Sequence, residues 1–299
     1  MSNTPSAMAP VAVAPVEPNV APVKLPLGGY RHEFRAVRVV WQRDMIRIWG
    51  DKARIVSTML QPLLFLFVLG AGLSAVVAGG SHGADYKTFL FPGVIVTGIL
   101  FTAMFSAISI VWDREFGFLR EMMVAPISSS SIVVGKCLAG GTIATLQSLL
   151  LIALGGLVHV PYRVGLVAGM AGIVFVTSFA LTAFGLVLAA RVKSVQTLMP
   201  MVQMLLMPMM FLSGALYPLG TGVPDWLRLV ARFNPLSYGV SAARSLVLSY
   251  LPGGGATGHL FVGLSWMGWP VPAWLDVVVV AAIGIVLLTV ACILFRRTE

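Results

Sequence analysis

The side chains of this sequence that could carry out chemistry are few and scattered along the chain. The four histidines are His32, His82, His159 and His259. None of them stands with a cysteine or a carboxylate at the short spacings that zinc sites require. The two cysteines lie in apolar stretches, as buried small side chains do, at Cys137 and Cys292. We therefore predict neither a catalytic centre nor a metal site in this chain.

A loop that could cradle nucleotide phosphates is also lacking in the sequence. The nearest fragment, Gly135-Lys136-Cys137, lacks both the preceding glycine and the hydroxyl residue of a Gly-x-x-x-x-Gly-Lys-Ser/Thr loop. Asp276 lies at the outer end of the last predicted span, so neither a paired-aspartate protease nor a proton relay is expected. We predict no cofactor in this chain; ATP and Mg, if they drive it, are bound by a partner.

The composition predicts the class of protein. Hydrophobic residues make up 58% of the 299 residues and charged residues only 10%, with a mean hydropathy of +0.92. Soluble domains carry about 25% charged residues. The chain is therefore predicted to be an integral membrane protein in contact with lipids. Its net charge of +9 needs no nucleic-acid partner, because the placement of the basic residues accounts for it.

The long gaps between charged residues predict six membrane-spanning helices. A span needs about 20 apolar residues. The predicted spans are 55–77, 89–112, 136–158, 165–190, 196–217 and 274–295, within a domain that covers 51–299. Residues 30–50 have apolar residues at helical spacing and basic residues mostly elsewhere, which predicts an amphipathic helix at the membrane interface. Residues 1–29 are rich in proline and are predicted to form a disordered cytoplasmic tail.

The distribution of lysine and arginine predicts the orientation. With the amino terminus inside, the inner segments carry 15 of these residues and the outer segments carry 5. Basic residues are enriched on the cytoplasmic side of membrane proteins. Both termini are therefore predicted to be cytoplasmic.

Four short blocks, in this order and spacing on a six-span chain, resemble the membrane subunit of type-2 ABC exporters, the family of daunorubicin-resistance and nodulation-factor export permeases. The first two blocks are Phe89-Leu90-Phe91-Pro92-Gly93-Val94-Ile95, and Arg114-Glu115-Phe116-Gly117 with Arg120-Glu121-Met122-Met123-Val124-Ala125-Pro126 and Gly135-Lys136. The other two are Leu212-Ser213-Gly214-Ala215-Leu216-Tyr217-Pro218, and Asn234-Pro235-Leu236-Ser237-Tyr238 with Arg244. The resemblance covers the chain from about Tyr30 onwards.

The resemblance implies that two permease subunits pair and that each docks on a cytoplasmic ABC ATPase. The docking elements would be residues 30–50 and 113–126. The coupling residues that this implies are Glu115, Phe116, Gly117, Leu119, Arg120 and Glu121 in the loop, with Arg35 and Trp41 in the amphipathic helix. Charged residues suit salt links and the apolar ones suit an anchor. The alternative is a solvated loop whose charges pair within its own helix.

In this family the region between spans five and six folds partly back into the membrane. That implies an all-α fold with an outer re-entrant helical region, and an outer gate formed by Tyr217, Pro218, Asn234, Pro235 and Tyr238. The alternative for the tyrosines is anchoring at the lipid headgroups. The methionines of span five, Met201, Met204 and Met207, are candidates for the substrate path, since methionine suits varied apolar contacts; ordinary packing is the alternative.

The function predicted is therefore a membrane permease subunit of an ATP-driven exporter, acting as a dimer with a second copy or a paralogue. It would sit in the bacterial cytoplasmic membrane and move a drug, a lipid or a lipid-linked glycan by alternating access. Two other functions stay open: a secondary carrier driven by an ion gradient, and a membrane scaffold that does not transport. A carrier would be expected to show an internal repeat of spans, and none is found in the sequence.

Overall fold

The computed structural model describes residues 30–72, 86–118, 127–158, 161–219, 223–250, 265–266 and 269–298. Within these ranges the fold is almost entirely helical. A short antiparallel pairing joins β1, Ser265–Trp266, to β2, Trp269–Pro270. The predicted tail 1–29 lies outside the described residues, and so do Leu119, Arg120 and Glu121.

Nine α-helices occur in the described part of the chain. They are α1 Tyr30–Gly50, α2 Lys52–Leu64, α3 Tyr86–Glu115, α4 Ser129–Ala153, α5 Val164–Ala190, α6 Val195–Leu212, α7 Asp225–Phe233, α8 Pro235–Ser249 and α9 Ala273–Thr298. A π-helical turn, Phe65–Leu69, continues α2, and a 3-10 turn, Gly155–Val158, follows α4. The first helix has the bounds that its amphipathic pattern predicted.

Six of the helical segments are long and apolar enough to cross a membrane, which confirms the number of spans predicted. They are Ile55–Gly72, Thr88–Glu115, Ser129–Ala153, Val164–Ala190, Val195–Leu212 and Ala273–Arg297. A helix pairs most of its backbone polar groups within the segment, as a lipid environment demands. Prolines, which have no N–H to donate, interrupt this pattern at Pro62, Pro92, Pro200 and Pro208.

The core lies around α5, which packs against α3, α4, α8 and α9. The residues of α3 are apolar on every side, and a helix of that kind belongs in the interior; 78% of its span is buried. The spans of α2, α6 and α9 are only 17%, 22% and 11% buried. These three helices therefore form the periphery and present wide apolar faces outward.

The helix α6 packs through one narrow stripe. Its buried residues recur at every fourth position: Leu198, Val202, Leu206 and Met210. The predicted path residues Met201, Met204 and Met207 lie on the exposed remainder of the helix.

The described helix ends differ from the predicted spans by up to seven residues. Span five was predicted to reach residue 217, but α6 ends at Leu212, where the chain turns through Gly214 with a positive φ of 71°. Span three was predicted to begin at residue 136, but α4 begins seven residues earlier at Ser129, after Ser128 accepts a hydrogen bond from the backbone N–H of Ser131. The charge-gap criterion placed Lys136 at the first residue of the span, whereas the structure buries it inside the helix.

Two helices lie in the described part of the region between α6 and α9. Pro224 precedes α7, and Asn234 separates α7 from α8. Most of α8 is buried, and it packs against α3, α5 and α9. This short helix is therefore part of the helical core and no surface appendage.

Candidate functional site

Four charged side chains meet between α1, α3 and α4. The Lys136 Nζ lies 2.8 Å from Asp44 Oδ2 and 2.7 Å from Asp113 Oδ2. The Arg43 Nη2 lies 2.6 Å from Asp113 Oδ2 and 3.0 Å from Asp44 Oδ1. We call Arg43, Asp44, Asp113 and Lys136 the charge cluster. The Lys136 side chain is only 1% exposed, and at the edge of the cluster the more exposed Arg47 lies 3.8 Å from Asp113 Oδ1.

The charge cluster joins three helices into one unit. A buried ion removed from water costs several kcal/mol, and only close opposite charges offset this. Asp44 belongs to α1, Asp113 to the end of α3 and Lys136 to the second turn of α4. A displacement of α1 relative to α3 or α4 would expose or unpair these charges. The three helices are therefore expected to move together.

Further contacts hold α1 along α4. Near its beginning, the Glu33 carboxylate accepts hydrogen bonds from the hydroxyls of Ser128, at 2.7 Å, and Ser131. The hydrogen bonds from Ser131 and Ser128 lower the pKa of Glu33 from its usual range. Farther along, the predicted coupling residue Trp41 donates its indole N–H to Thr142 Oγ1 at 3.2 Å. Trp41 thus contacts a neighbouring span, whereas Arg35 is exposed.

The carboxyl-terminal end of α3 is fixed by two charged residues. Glu115, a predicted ATPase contact, accepts a hydrogen bond from the backbone N–H of Val195 at 2.9 Å and so satisfies the first turn of α6. Arg114 donates to the carbonyl of Val192 at 2.9 Å, just beyond α5, and lies over the Phe295 ring of α9. Both residues of this motif therefore contact other helices of the same chain.

The next residues turn outward. Gly117 has a positive φ of 81°, which a residue without Cβ adopts readily. Phe116 is 71% exposed and Phe118 is 52% exposed. This segment, 116–118, is an apolar tip at the end of a buried helix, and its direct continuation contains the predicted coupling residues 119–121.

On the other side of the molecule, three of the sequence blocks meet at Arg244. This buried residue of α8 donates to the carbonyls of Gly214 at 2.9 Å and Ala215 at 3.2 Å. Its guanidinium lies 3.9 Å from the centre of the Phe89 ring at the start of α3. We call this arrangement of Arg244, Phe89 and the turn 213–217 the outer latch, after the side of the membrane on which the sequence predicts it to lie. It ties the turn after α6 to the core.

The predicted gate residues lie around the same turn. The Asn234 side chain donates to the carbonyl of Met209 at 2.7 Å and accepts from the backbone N–H of Leu236, so it caps α8. Tyr238 is buried and donates to the carbonyl of Arg232. Tyr217 donates to the carbonyl of Phe211 at 2.7 Å. The proline Pro235 is the first residue of α8, where a missing N–H is tolerated, and Pro218 follows the turn.

Sequence reasoning did not assign the charge cluster or the role of Arg244. The signal available was a set of opposite charges at the inner flanks of three neighbouring helical segments. Those charges were used to mark where spans end, which hid their pairing. Arg244 stood in a recognised block, but its partners lie 29 and 30 residues away in another block.

The backbone of the turn in the outer latch packs so closely against Gly93 that a side chain there would clash. A methyl group at this position would lie 2.3 Å from the carbonyl oxygen of Ala215, a backbone atom that a side-chain rotation cannot relieve. We expect Gly93→Ala to lower the free energy of unfolding by about 1–3 kcal/mol. The matched control is Gly172→Ala in α5, where nothing lies within 4 Å; there the change should be neutral or stabilise by up to about 1 kcal/mol. Thermal unfolding of the purified proteins in detergent measures both, and equal midpoints would contradict the close approach.

The sequence of this chain is similar to those of known membrane transport proteins. The sequence model described as ABC-2 type transporter matches residues 35–248. The putative transport permease ycf38 of Porphyra purpurea is 29% identical over 220 residues, which cover 72% of this chain and 75% of that protein. Nodulation protein J of Rhizobium leguminosarum bv. viciae is 27% identical over 213 residues, with 70% and 81% covered. The inner membrane transport permease YadH of Escherichia coli K12 is 25% identical over 216 residues, also with 70% and 81% covered.

Proposed function

We infer, from the premise that this chain belongs to the ABC-2 type transporter family and is a membrane transport permease, that it is the membrane subunit of an ATP-driven exporter. The power source is a separate cytoplasmic ABC ATPase that binds ATP and Mg, because the sequence contains no phosphate-binding loop of its own. Both termini face the cytoplasm of a bacterial cell, as the lysine and arginine distribution favours. The cargo is apolar or amphipathic.

The observation that carries this proposal is the charge cluster. A partner that pushes on the cytoplasmic surface of α1 or on the end of α3 moves a unit that includes spans two and three, because Lys136 binds the acidic residues of both other helices. A ligand shifts a conformational equilibrium only through different affinities for the two states. ATP-driven closure of the ATPase would supply that difference, and the unit would carry it into the membrane.

The translocation path is proposed to lie between two copies of the chain or between this chain and a paralogue. The support is the wide exposed apolar surface of α2 and α6, whose spans are 17% and 22% buried. Met201, Met204 and Met207 lie on that surface and are the proposed substrate contacts. The outer latch and the neighbouring Tyr217, Asn234 and Tyr238 would close its outer end, with α8 as the re-entrant helix.

The apolar tip tests the docking of the ATPase. Replacing Phe116 and Phe118 by aspartate would remove an apolar anchor and place a charge in the interface. The double variant Phe116→Asp/Phe118→Asp is therefore expected to weaken ATPase binding at least about tenfold. The measurement is the rate of ATP hydrolysis by the ATPase that co-purifies with the tagged permease from its native membrane. The control is Trp226→Asp, an equally exposed aromatic residue on α7, which should retain the hydrolysis.

If the tip variant and the control retain the same ATPase activity, this docking surface is wrong. A separate experiment tests the export function itself. Vesicles that contain the permease alone should not accumulate cargo, and those that also contain the co-purified ATPase should do so only with hydrolysable ATP. Accumulation by the permease alone on a pH gradient would replace the exporter with a secondary carrier.

A further inference from the structure

A crevice of about 550 Å³ opens between α1, α2, α3 and α4, apart from the exposed face of α6. Its wall includes Met45, Trp49, Phe105, Ile143, Leu146 and Gln147. We propose that this crevice is a binding site for an uncharged amphipathic molecule from the membrane, with an apolar body and one hydrogen-bond acceptor that pairs with the Gln147 amide.

The polar group that points to a ligand is Gln147. Its Oε1 accepts a hydrogen bond from the Thr102 hydroxyl at 2.6 Å, which joins α4 to α3. Its Nε2 has no hydrogen-bond partner among the described residues, although the residue is only 8% exposed. A buried amide donor without an acceptor is unfavourable, and more so where the surroundings are apolar. A ligand carbonyl, ether or hydroxyl oxygen in the crevice would satisfy it.

The rest of the wall determines the body of the ligand. The other polar side-chain groups of the wall are the indole N–H of Trp49 and three hydroxyls, of which that of Thr58 donates to the carbonyl of Ile55 in its own helix. Phe105, Ile143 and Leu149 provide aromatic and aliphatic surface. No lysine, arginine, aspartate or glutamate is among the lining residues, so a charged molecule would lose its hydration without compensation. A neutral, mainly apolar molecule fits.

The size and position of the crevice agree with capture from the bilayer. Binding sites for small molecules commonly have volumes of about 300–1,000 Å³. Trp49, Leu146 and Leu150 lie at its rim and are 69%, 40% and 52% exposed. Since Leu146 and Leu150 belong to a membrane span, the crevice is open sideways toward lipid. The inference concerns binding only and holds whether or not the chain exports what it binds.

Benzophenone is a suitable probe, since it has an apolar body, a single carbonyl acceptor and photochemistry that labels nearby C–H bonds. The full-length chain in lipid nanodiscs should show saturable labelling on peptides that contain Met45, Ile143 or Leu146. Unlabelled benzophenone should compete about fivefold to tenfold better than diphenylmethane, which has the same two rings without the acceptor. Leu146→Trp, which fills the crevice and keeps Gln147, should abolish the saturable labelling.

The decisive variant is Thr102→Val/Gln147→Leu, which removes both partners of the interhelical hydrogen bond and so leaves no polar group unpaired in the fold. It should bind both competitors equally. The matched control, Gln203→Leu, alters an exposed glutamine of α6 and should keep the preference for benzophenone. Labelling that does not saturate, labelling that survives Leu146→Trp, or an unchanged preference in the double variant would each overturn the proposal.

Discussion

Replacement of Lys136 by methionine is expected to lower the free energy of unfolding by about 3–5 kcal/mol, the cost typical of breaking a buried ion pair from one side. Methionine retains the length of the lysine stem but removes its charge. Asp44 and Asp113 then lose contacts of 2.8 and 2.7 Å to Nζ. Asp44 keeps only Arg43 as a cationic partner, and Asp113 keeps Arg43 and the longer contact of 3.8 Å to Arg47. Their side chains are 7% and 5% exposed, so water does not replace the lost ammonium group.

The measurement is the thermal unfolding of the purified permease in detergent, with gel filtration to detect aggregation. A control is Lys193→Met, an exposed lysine beyond α5, which should shift the midpoint little. The triple variant Lys136→Met/Asp44→Asn/Asp113→Asn removes the two orphaned carboxylates and should recover part of the lost stability, because the Arg43 side chain that it leaves unpaired is 38% exposed and reaches water. A single variant as stable as the wild type would mean that the charge cluster does not hold α1 to α3 and α4.

The same set of variants separates stability from coupling. The triple variant leaves Arg43 as the one charged member of the charge cluster and replaces ionic contacts by weaker hydrogen bonds. If the cluster transmits force from the ATPase, the triple variant should fold and insert and yet transport more slowly per ATP hydrolysed. A triple variant with normal stability and normal transport would limit the cluster to a structural role.

Replacement of Arg244 by methionine is expected to release the turn after α6. The guanidinium donates to two carbonyls, and hydrogen bonds to charged groups contribute about 1.5–3 kcal/mol each; its contact with the Phe89 ring adds to these. The free energy of unfolding should fall by about 3–5 kcal/mol, and the outer latch should open before the rest of the fold. Arg244→Lys keeps the charge without the planar fork and should be intermediate.

Cysteine labelling detects this release locally. Ala215 is fully buried, so Ala215→Cys in a background with Cys137→Ala and Cys292→Ala should resist a membrane-impermeant maleimide. Adding Arg244→Met should increase the labelling rate about tenfold or more, while Arg163→Met, at an exposed arginine before α5, should not. Equal rates in all three proteins would show that Arg244 does not hold the turn.

Several features were predictable because they depend on short stretches of sequence. The bounds of α1 follow from apolar residues spaced three or four apart. The number of spans follows from hydropathy and length. The family resemblance is also confirmed: the family model and the relatives match this chain as an ABC-2 transport permease. The roles given to Glu115, Trp41, Tyr238 and the methionines remain predictions, although the structure now gives each a position.

Other features depended on partners distant in the chain. Glu115 was predicted to face an ATPase, but its carboxylate accepts from Val195, 80 residues away. Trp41 contacts Thr142, 101 residues away. Residue type alone indicates that such side chains seek polar partners; it does not indicate which partner lies within reach.

The sequence by itself determined that this chain is a membrane protein with six apolar spans preceded by an amphipathic helix, because hydropathy and helical periodicity are local properties that the bilayer selects directly. Only the tertiary structure decided which charges are buried together, which carbonyls Arg244 binds and where the crevice beside Gln147 lies. In the sequence, the charge of Lys136 marks the boundary of a span. It becomes a buried link between helices only when α1 and α3 bring Asp44 and Asp113 to its ammonium group.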